Sequence, residues 1–526
     1  MASRARTTIP PLDHPLPVVT LDDLYGSEAQ PEAAPAHDPA RIVGFAVLAA
    51  AVLWSMILLL HSSTLAGILV AVPGMYGLIS MWRHSWTGLH FIRATLYLRF
   101  AFPRHARRAR EGTAGRKVPH IHVVVTSYNI AASHFRAVYA ALFRNLADYG
   151  VPSVVIASIT RDRDRVLLEQ VLEGCGVPAN IEVVAQFQKG DGKRGALAHA
   201  LRSVARRHPP PGAVTLLLDG DVVIEDGALA KCLPFFVADP ALGALTTNND
   251  AVTDGDMVTR SWYSLRYSQR HVLMSSLSLS ERLLVLTGRF SIYRSDEVIR
   301  PDFIDIIESD GFSDWLYGPL RFLTGDDKSA WFALLKRRAK MLYIPDVKAI
   351  GFEALPQDCN FVTGSTRLLH RWYGNMLRSN VRALRLGPIT CGPFTWLCIL
   401  DQRLSMWTAL VGPTLALMLS LTVSPVFLVY YLAWVLVSRL IMSGLQGLAW
   451  GRFEPLWPVL LAYDQIWGAL LKTFLQFRLN RQSWTRQGIR HGGGTAAIKN
   501  FVASGLHVGS LVVLCLAVAW MARPGS

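Results

Sequence analysis

Apolar positions along the chain fall into two kinds of run, long uncharged stretches near the ends and short ones in the middle. Residues 42–61 (IVGFAVLAAAVLWSMILLLH) contain no Lys, Arg, Asp or Glu. They are long enough to cross a hydrocarbon core ~30 Å thick as one helix. Residues 65–82 (LAGILVAVPGMYGLISMW) can cross back, so 41–83 reads as a transmembrane hairpin. Residues 405–422, 425–446 and 500–521 read as further spans. In 455–477, Asp464, Gln465, Lys472 and Gln476 interrupt the apolar pattern. Polar groups facing lipid are costly, so this stretch is expected to lie along the membrane surface.

Between the long runs, 118–385 alternates short β-rich segments with helical ones. HIHVVVTSY, SVVIASI, IEVVAQF, AVTLLLDGD and ALGALTT are the clearest strands. Such alternation predicts an α/β domain with a mostly parallel sheet, whose ligands gather at the carboxyl ends of the strands. Residues 1–40 are rich in Pro, Ala and acidic residues without apolar periodicity, and are expected to be a disordered tail.

Charge orients this plan. The formal net charge is +15 over 526 residues. Arg83, Arg93, Arg99, Arg104, Arg107, Arg108, Arg110, Arg116 and Lys117 cluster just after the hairpin, against Glu111 alone. By the positive-inside rule, 84–117 is a basic juxtamembrane segment on the cytoplasmic side, with the α/β domain beside it. Nothing beyond charge supports a nucleic-acid partner, because zinc-finger spacing and basic-zipper heptads are missing. The six cysteines form no CxxC pair, which gives no sign of a disulfide framework or a cysteine metal site.

Three signals carry chemistry. Asp219-Gly220-Asp221 follows the apolar strand AVTLLL. Two carboxylates at a strand end can share a divalent cation with a diphosphate, although the same triplet also serves as a solvated turn. Asp326 and Asp327 open a helical stretch, where the dipole favours acids whatever their role and where one could act as a general base. Arg371-Trp372 offers a phosphate clamp and a flat face for a sugar, or simply one face of an amphipathic helix.

The order of these signals resembles the family 2 glycosyltransferases with a GT-A catalytic domain, the group of cellulose, chitin, hyaluronan and mannuronan synthases. Ser127-Tyr128-Asn129, Lys193-Arg194-Gly195-Ala196-Leu197, Asp219/Asp221, Gly288 to Arg294 in TGRFSIYR, Asp326-Asp327 and Arg371-Trp372 stand in the family's sequence order. Stretches such as GKRGAL, LTGRFSIYR, FLTGDDKSAWF, RWYGNMLRSN and RQSWTRQ are similar to the mannuronan synthase branch, from about residue 118 to 487. Leu368 replaces the Gln of the family's Q-x-x-R-W, and Ile130 replaces the Glu of its P-T-Y-N-E.

The resemblance implies a Rossmann-like GT-A domain between N- and C-terminal transmembrane helices. It implies a processive, inverting transfer from a nucleotide sugar. GDP-mannuronate growing into poly-β-1,4-mannuronate is the expected chemistry, with a UDP-sugar β-glycan synthase as the alternative. Asp327 would be the base, assisted by Asp326, and Asp219 and Asp221 would hold Mg²⁺ or Mn²⁺. Ser127, Tyr128, Lys193, Asp164 and Arg371 would bind the nucleotide sugar. Trp372, Gly288, Arg289 and Arg294 would face the acceptor. Arg266, Arg270 and Arg289 are candidates to neutralise sugar carboxylates. Residues 386–526 would form a C-terminal membrane region with a gating loop near 478–490, carried by Arg481, Ser483, Trp484, Thr485 and Arg486. Implied partners are the growing polysaccharide, membrane lipid, export machinery and a separate cyclic di-GMP-binding PilZ subunit. The implied location is a bacterial inner membrane, crossed several times.

Overall fold

The computed structural model describes residues 47, 50 and 75–521, apart from 114, 191, 322, 357–358, 482, 485–486 and 489–495. Residues 47 and 50 excepted, the N-terminal tail and the predicted hairpin as far as residue 74 lie outside the described residues.

Eight strands form the central sheet: β1 Ile121–Thr126, β2 Ser153–Ile159, β3 Ile181–Phe187, β4 Val214–Asp219, β5 Val222–Ile224, β6 Leu242–Asp254, β7 Phe290–Arg294 and β10 Lys340–Ala354. β8 (Gly311–Asp314) and β9 (Gly318–Arg321) make a separate hairpin. The sheet order is β3-β2-β1-β4-β7-β6-β10-β5. β1 and β4 are apolar and buried on both faces, as central parallel strands must be.

The sheet is mostly parallel, as expected, with antiparallel strands added to it. β3-β2-β1-β4 and β6-β10 are parallel, but β7 enters antiparallel between β4 and β6, and β5 is antiparallel to β10. This is the GT-A type of sheet. Reversal of β7 has a direct consequence. Its first residue, Phe290, pairs with Leu218, so Thr287, Gly288 and Arg289 arrive beside the carboxyl end of β4.

The helices used below are α1 Met75–Leu96, α2 Ala132–Tyr149, α3 Asp162–Cys175, α4 Lys193–Arg206, α5 Met257–Ser278, α6 Asp326–Lys336, α7 Phe361–Arg385, α8 Pro393–Thr422, α9 Val426–Trp450, α10 Trp457–Gln476 and α11 Ala496–Met521. The core joins β1, β2 and β4 to α2, α3 and α4 through Val123, Val155, Leu216, Phe135, Leu168 and Leu201.

Among the described residues, α8, α9 and α11 are long and apolar enough to cross a membrane. α10 packs against α7, α8 and α9. The polar groups of its expected surface-lying stretch point into the protein: Asp464 pairs with Arg266 at 3.5 Å, Gln465 with Arg439, and Gln476 with Arg403 at 2.6 Å.

The basic segment 84–117 is mostly helical: α1 runs to Leu96, a π-helical turn spans Tyr97–Ala101, and Phe102–Arg110 is helix again. Part of its charge is used internally. Arg110 pairs with Asp346 at 2.6 Å, and Arg93 donates to the Ser276 carbonyl at 3.0 Å.

Candidate active site

Close backbone packing sets the first carboxylate pair. Asp219 ends β4, and the Gly220 N–H donates to the Thr126 carbonyl at the end of β1, 2.9 Å away. A Cβ on Gly220 would stand 2.9 Å from that carbonyl oxygen and 2.4 Å from Ser127 Oγ. The two strand ends can approach this closely only with glycine at that position. The turn is held further by the Asp219 N–H on the Arg289 carbonyl (3.0 Å) and the Phe352 N–H on the Asp221 carbonyl (3.1 Å).

Local helix chemistry sets the second pair. Gly325 takes φ +93°, a left-handed value that suits glycine, and Asp326 and Asp327 follow in the first turn of α6. Their charge faces the positive end of the helix dipole. Behind this turn, the Thr324 hydroxyl donates to Asn375 Oδ1 at 2.5 Å, and Arg194 donates to the Gly325 carbonyl at 3.1 Å.

Lys193 joins the pairs. It is the first residue of α4, and its Nζ lies 2.5 Å from Asp219 Oδ1 and 3.1 Å from Asp326 Oδ2. Thus residues more than a hundred positions apart meet around one ammonium. Gly288 completes the floor: a Cβ there would sit 3.1 Å from Lys193 Nζ and 3.5 Å from Asp326 Oδ2.

The four carboxylates have different environments. Burial would raise Asp326, but Lys193 and Arg194 outweigh it and hold Asp326 below the usual range. Burial and the neighbouring Asp326 charge raise Asp327. Burial pushes Asp219 up to about 7, opposed by Lys193 and reinforced by Asp221 and Asp326. Asp221 is raised by burial and by Glu353. Burial would lower Lys193, but Asp219 and Asp326 outweigh it and hold it protonated. Adjacent acids driven in opposite directions are the usual arrangement for a division of acid–base roles.

Comparison with known proteins fits this geometry. Residues 119–375 match the sequence profile described as "Glycosyltransferase like family 2". A protein named glycosyltransferase alg8, from Pseudomonas syringae pv. tomato, is 37% identical over 441 residues, covering 82% of this chain and 89% of its own length. The chain belongs to the family 2 glycosyltransferases. A second glycosyltransferase alg8, from Azotobacter vinelandii, is 37% identical over 413 residues, covering 78% of this chain and 84% of that one. Among solved structures, a Pyrobaculum calidifontis mannosyltransferase in complex with GDP-mannose and Mn²⁺ superposes with a TM-score of 0.40 at 18% identity, covering 76% of this chain and 98% of that one.

Other expected site residues of the glycosyltransferase lie around this centre at varying distance. Ser127 is buried against Gly220, and Tyr128 is exposed beside Gly190. Asp164 is buried in the first turn of α3, where, among the described residues, its Oδ2 meets no hydrogen-bond partner. Arg289 pairs with Glu353 and lies 4.8 Å above the Tyr267 ring. Trp372 stacks on Trp262 at 5.7 Å, with Arg266 5.3 Å from its centroid, and Arg371 lies half-buried next to it. Arg270 is bound to Asn249 at 2.8 Å and the Thr247 carbonyl at 3.3 Å.

Arg294 is not brought to the site. It pairs with Val214 at the opposite end of β4, and its guanidinium holds the carbonyls of Leu242, Phe236 and Asp239. In the gating segment, Arg481 is exposed, 5.4 Å from the Phe474 centroid. Ser483–Trp484 pairs with Gln487–Gly488 as a small hairpin, and Thr485 and Arg486 lie outside the described residues.

Three further residues escape a sequence reading. Glu353, on β10, faces Asp221 through Arg289. Asn375 and Arg378 sit one and two turns beyond Arg371-Trp372 on α7. Arg378 donates to Thr324 Oγ1 (2.9 Å), Asn375 Oδ1 (2.6 Å) and the carbonyls of Leu479 and Arg481. Their only signal is helical spacing from Trp372.

Proposed function

We propose that this glycosyltransferase polymerises GDP-mannuronate into poly-β-1,4-mannuronate by inverting displacement, facing the cytoplasm from a bacterial inner membrane that it crosses several times. One observation carries the mechanism: Lys193 bridges Asp219 and Asp326, and Asp327 lies next to them in the first turn of α6. The raised carboxylate, Asp327, is the better base. It takes the proton from the acceptor hydroxyl as that oxygen attacks the anomeric carbon. The bond to the diphosphate breaks, the electron pair leaves with the nucleotide, and the configuration inverts. Asp326 stays ionised and holds Lys193, whose ammonium faces the departing charge.

Among the described residues, no group of three or more His, Cys, Asp or Glu side chains converges as a metal cage. Asp219 and Asp221 can still serve, because Mg²⁺ is commonly held by one or two carboxylates with substrate phosphates and water. Crowded buried acids, with Asp219 pushed up to about 7, favour a cation there. Bound Mg²⁺ or Mn²⁺ would offset charge on the leaving diphosphate.

Similarity to the two alg8 proteins over most of the chain supports the alginate branch. Trp372 provides the face for the acceptor sugar, and a separate PilZ subunit and export machinery complete the assembly. The test is donor incorporation by purified membranes supplied with Mg²⁺ and either GDP-mannuronate or UDP-sugars. GDP-mannuronate should be used, and Asp327→Asn should lower incorporation by about 10²–10⁴-fold with insertion preserved. Incorporation of UDP-glucose instead would transfer the chain to the cellulose-type branch. An unaffected Asp327→Asn would remove the base assignment.

A further inference from the structure

The β8–β9 hairpin carries the most exposed aromatic ring among the described residues of the α/β domain. Trp315, at its tip, is 71% exposed, against 46% for Phe187 and 45% for Tyr128. The tip is a built turn. Buried Asp314 accepts the N–H groups of Leu316 and Tyr317 through Oδ1, both at 2.9 Å, and Gly318 takes φ +77° before β9 begins. An aspartate that closes a turn on its own backbone in this way holds the enclosed residues in one conformation. Trp315 is therefore displayed on a fixed support.

The hairpin stands at the foot of α11. The Tyr317 hydroxyl meets the Phe477 carbonyl at 3.2 Å and Asn500 Oδ1 at 3.4 Å, and Lys499 donates to the Tyr317 carbonyl at 3.4 Å. Residues Ala496–Trp520 of α11 are 25 residues apolar enough to cross a membrane. As a helix they measure about 37 Å, more than the ~30 Å hydrocarbon core, so the first turn of α11 stands at the headgroup layer. Ile498 and Phe501, on either side of the Lys499–Asn500 contacts, are 66% and 80% exposed. Trp315 is two residues from Tyr317, hence within about 7 Å of it along the chain. The headgroup layer is roughly 5–7 Å deep on each side. Exposed Arg321 ends β9, and Arg385, at the end of α7, donates to the Ser313 carbonyl at 3.4 Å.

We infer that the β8–β9 hairpin is a membrane-surface anchor, which seats Trp315 in the headgroup layer of the phospholipid bilayer beside the foot of α11. Tryptophan suits that layer because its ring is apolar and its N–H is polar. Arg321, Arg385 and Lys499 around it match a phosphate-rich surface, where long cationic side chains extend into the headgroups. Continuity with the exposed start of a membrane-fit helix selects lipid as the occupant. The anchor is also tied to the chemistry. The Leu323 N–H closes the hairpin on the Asp310 carbonyl at 3.1 Å, and the chain runs on from there into Gly325 and Asp326. The segment that touches lipid is thus the one that leads into the base loop. This assignment is independent of the donor sugar.

The test uses the full chain in phosphatidylcholine nanodiscs, with Cys175→Ser, Cys359→Ser and Cys515→Ser and an NBD fluorophore on Ser313→Cys, an exposed position of β8 that leaves Trp315 in place. Two quenchers are compared, phosphatidylcholine bearing a nitroxide on its headgroup and iodide in the water. The nitroxide lipid should quench the label and iodide should reach it poorly. Trp315→Asp should abolish the lipid quenching and admit iodide, and Trp315→Tyr should keep the original pattern. The same fluorophore on native Cys175, exposed at the end of α3, should respond to iodide alone. Trp315→Asp replaces an exposed side chain, so the chain should still fold with an unchanged melting midpoint. Quenching of the Ser313→Cys label by iodide alone would place the hairpin in water and overturn the proposal. Protection from both quenchers would mean that the tip is covered by protein, the chain's own or a second copy's, and would overturn it too. Lipid quenching that survives Trp315→Asp would show that Trp315 does not anchor the hairpin.

Discussion

Substituting Gly220 by alanine tests the catalytic geometry at its tightest point. The added methyl would meet Ser127 Oγ at 2.4 Å, the Thr126 carbonyl oxygen at 2.9 Å and Ser127 Cα at 3.0 Å. The serine hydroxyl can rotate away, but the other two atoms belong to the backbone of β1 and its continuation. Ordinary contact begins near 3.4 Å, so the turn must retreat by roughly 0.5 Å, the difference from 2.9 Å. That movement stretches the Gly220 N–H bond to Thr126 and displaces Asp219 relative to Lys193. Overpacking of this kind costs about 1–3 kcal/mol. A 1 Å misplacement of reacting groups costs roughly 10²-fold in rate, so half of it should cost about tenfold. The assay is initial-rate donor incorporation by the full chain in nanodiscs, paired with its thermal unfolding midpoint. Gly195→Ala is the control. Gly195 lies within α4 in the neighbouring GKRGAL stretch, and a Cβ there meets nothing within 4 Å, so stability should rise by about 0.5–1 kcal/mol. Wild-type rate and midpoint in Gly220→Ala would refute the claim that strand contact positions the carboxylates.

Three other perturbations address separate parts of the argument. Lys193→Met strands Asp219 and Asp326 without their shared cation and should cost about 3–5 kcal/mol in a thermal or denaturant melt, with part recovered when Asp219→Asn is added. His122 is buried in β1, 4.4 Å from the His120 ring centroid, and burial pushes it down to about 4 from an ordinary 6.5. Its neutral form contributes stability that is complete above pH 6.5 and is lost as pH falls through 4, about 3 kcal/mol in all. His122→Val should therefore flatten the melting midpoint between those pH values, and an unchanged slope would exclude His122 as the cause. Arg378→Met removes the guanidinium that ties Thr324 to the Leu479 and Arg481 carbonyls. It should lower kcat and the melting midpoint together, and a fall in the midpoint alone would confine Arg378 to a structural role.

The runs that became β1, β2 and β4 were legible because burial on both faces leaves an almost unbroken apolar string. Strand direction was not. FSIYR reads the same whether parallel or antiparallel, yet the reversal of β7 decides which of its ends meets the site. Gly288 and Arg289 arrive there, whereas Arg294 is five residues further on, about 16 Å away along a strand. Asp464, Gln465, Lys472 and Gln476 looked too polar for packing among apolar helices because their partners lie elsewhere in sequence. Arg266 on α5, Arg439 on α9 and Arg403 on α8 supply partners for Asp464, Gln465 and Gln476. The acidic residues were visible as isolated words with competing meanings. Lys193 gives them a common one only once α4 is folded onto the sheet.

Because Tyr373 and Asn375 belong to one unbroken helix, the lining of a cavity of about 340 Å³ between α7, α9 and α10 and the support of the base loop share a single rotational phase. One residue inserted between them would turn one end by about 100° relative to the other. The enzyme can vary these side chains one by one, but it cannot change the length of this segment without turning Asn375 away from Thr324 or Tyr373 away from Lys472 on α10.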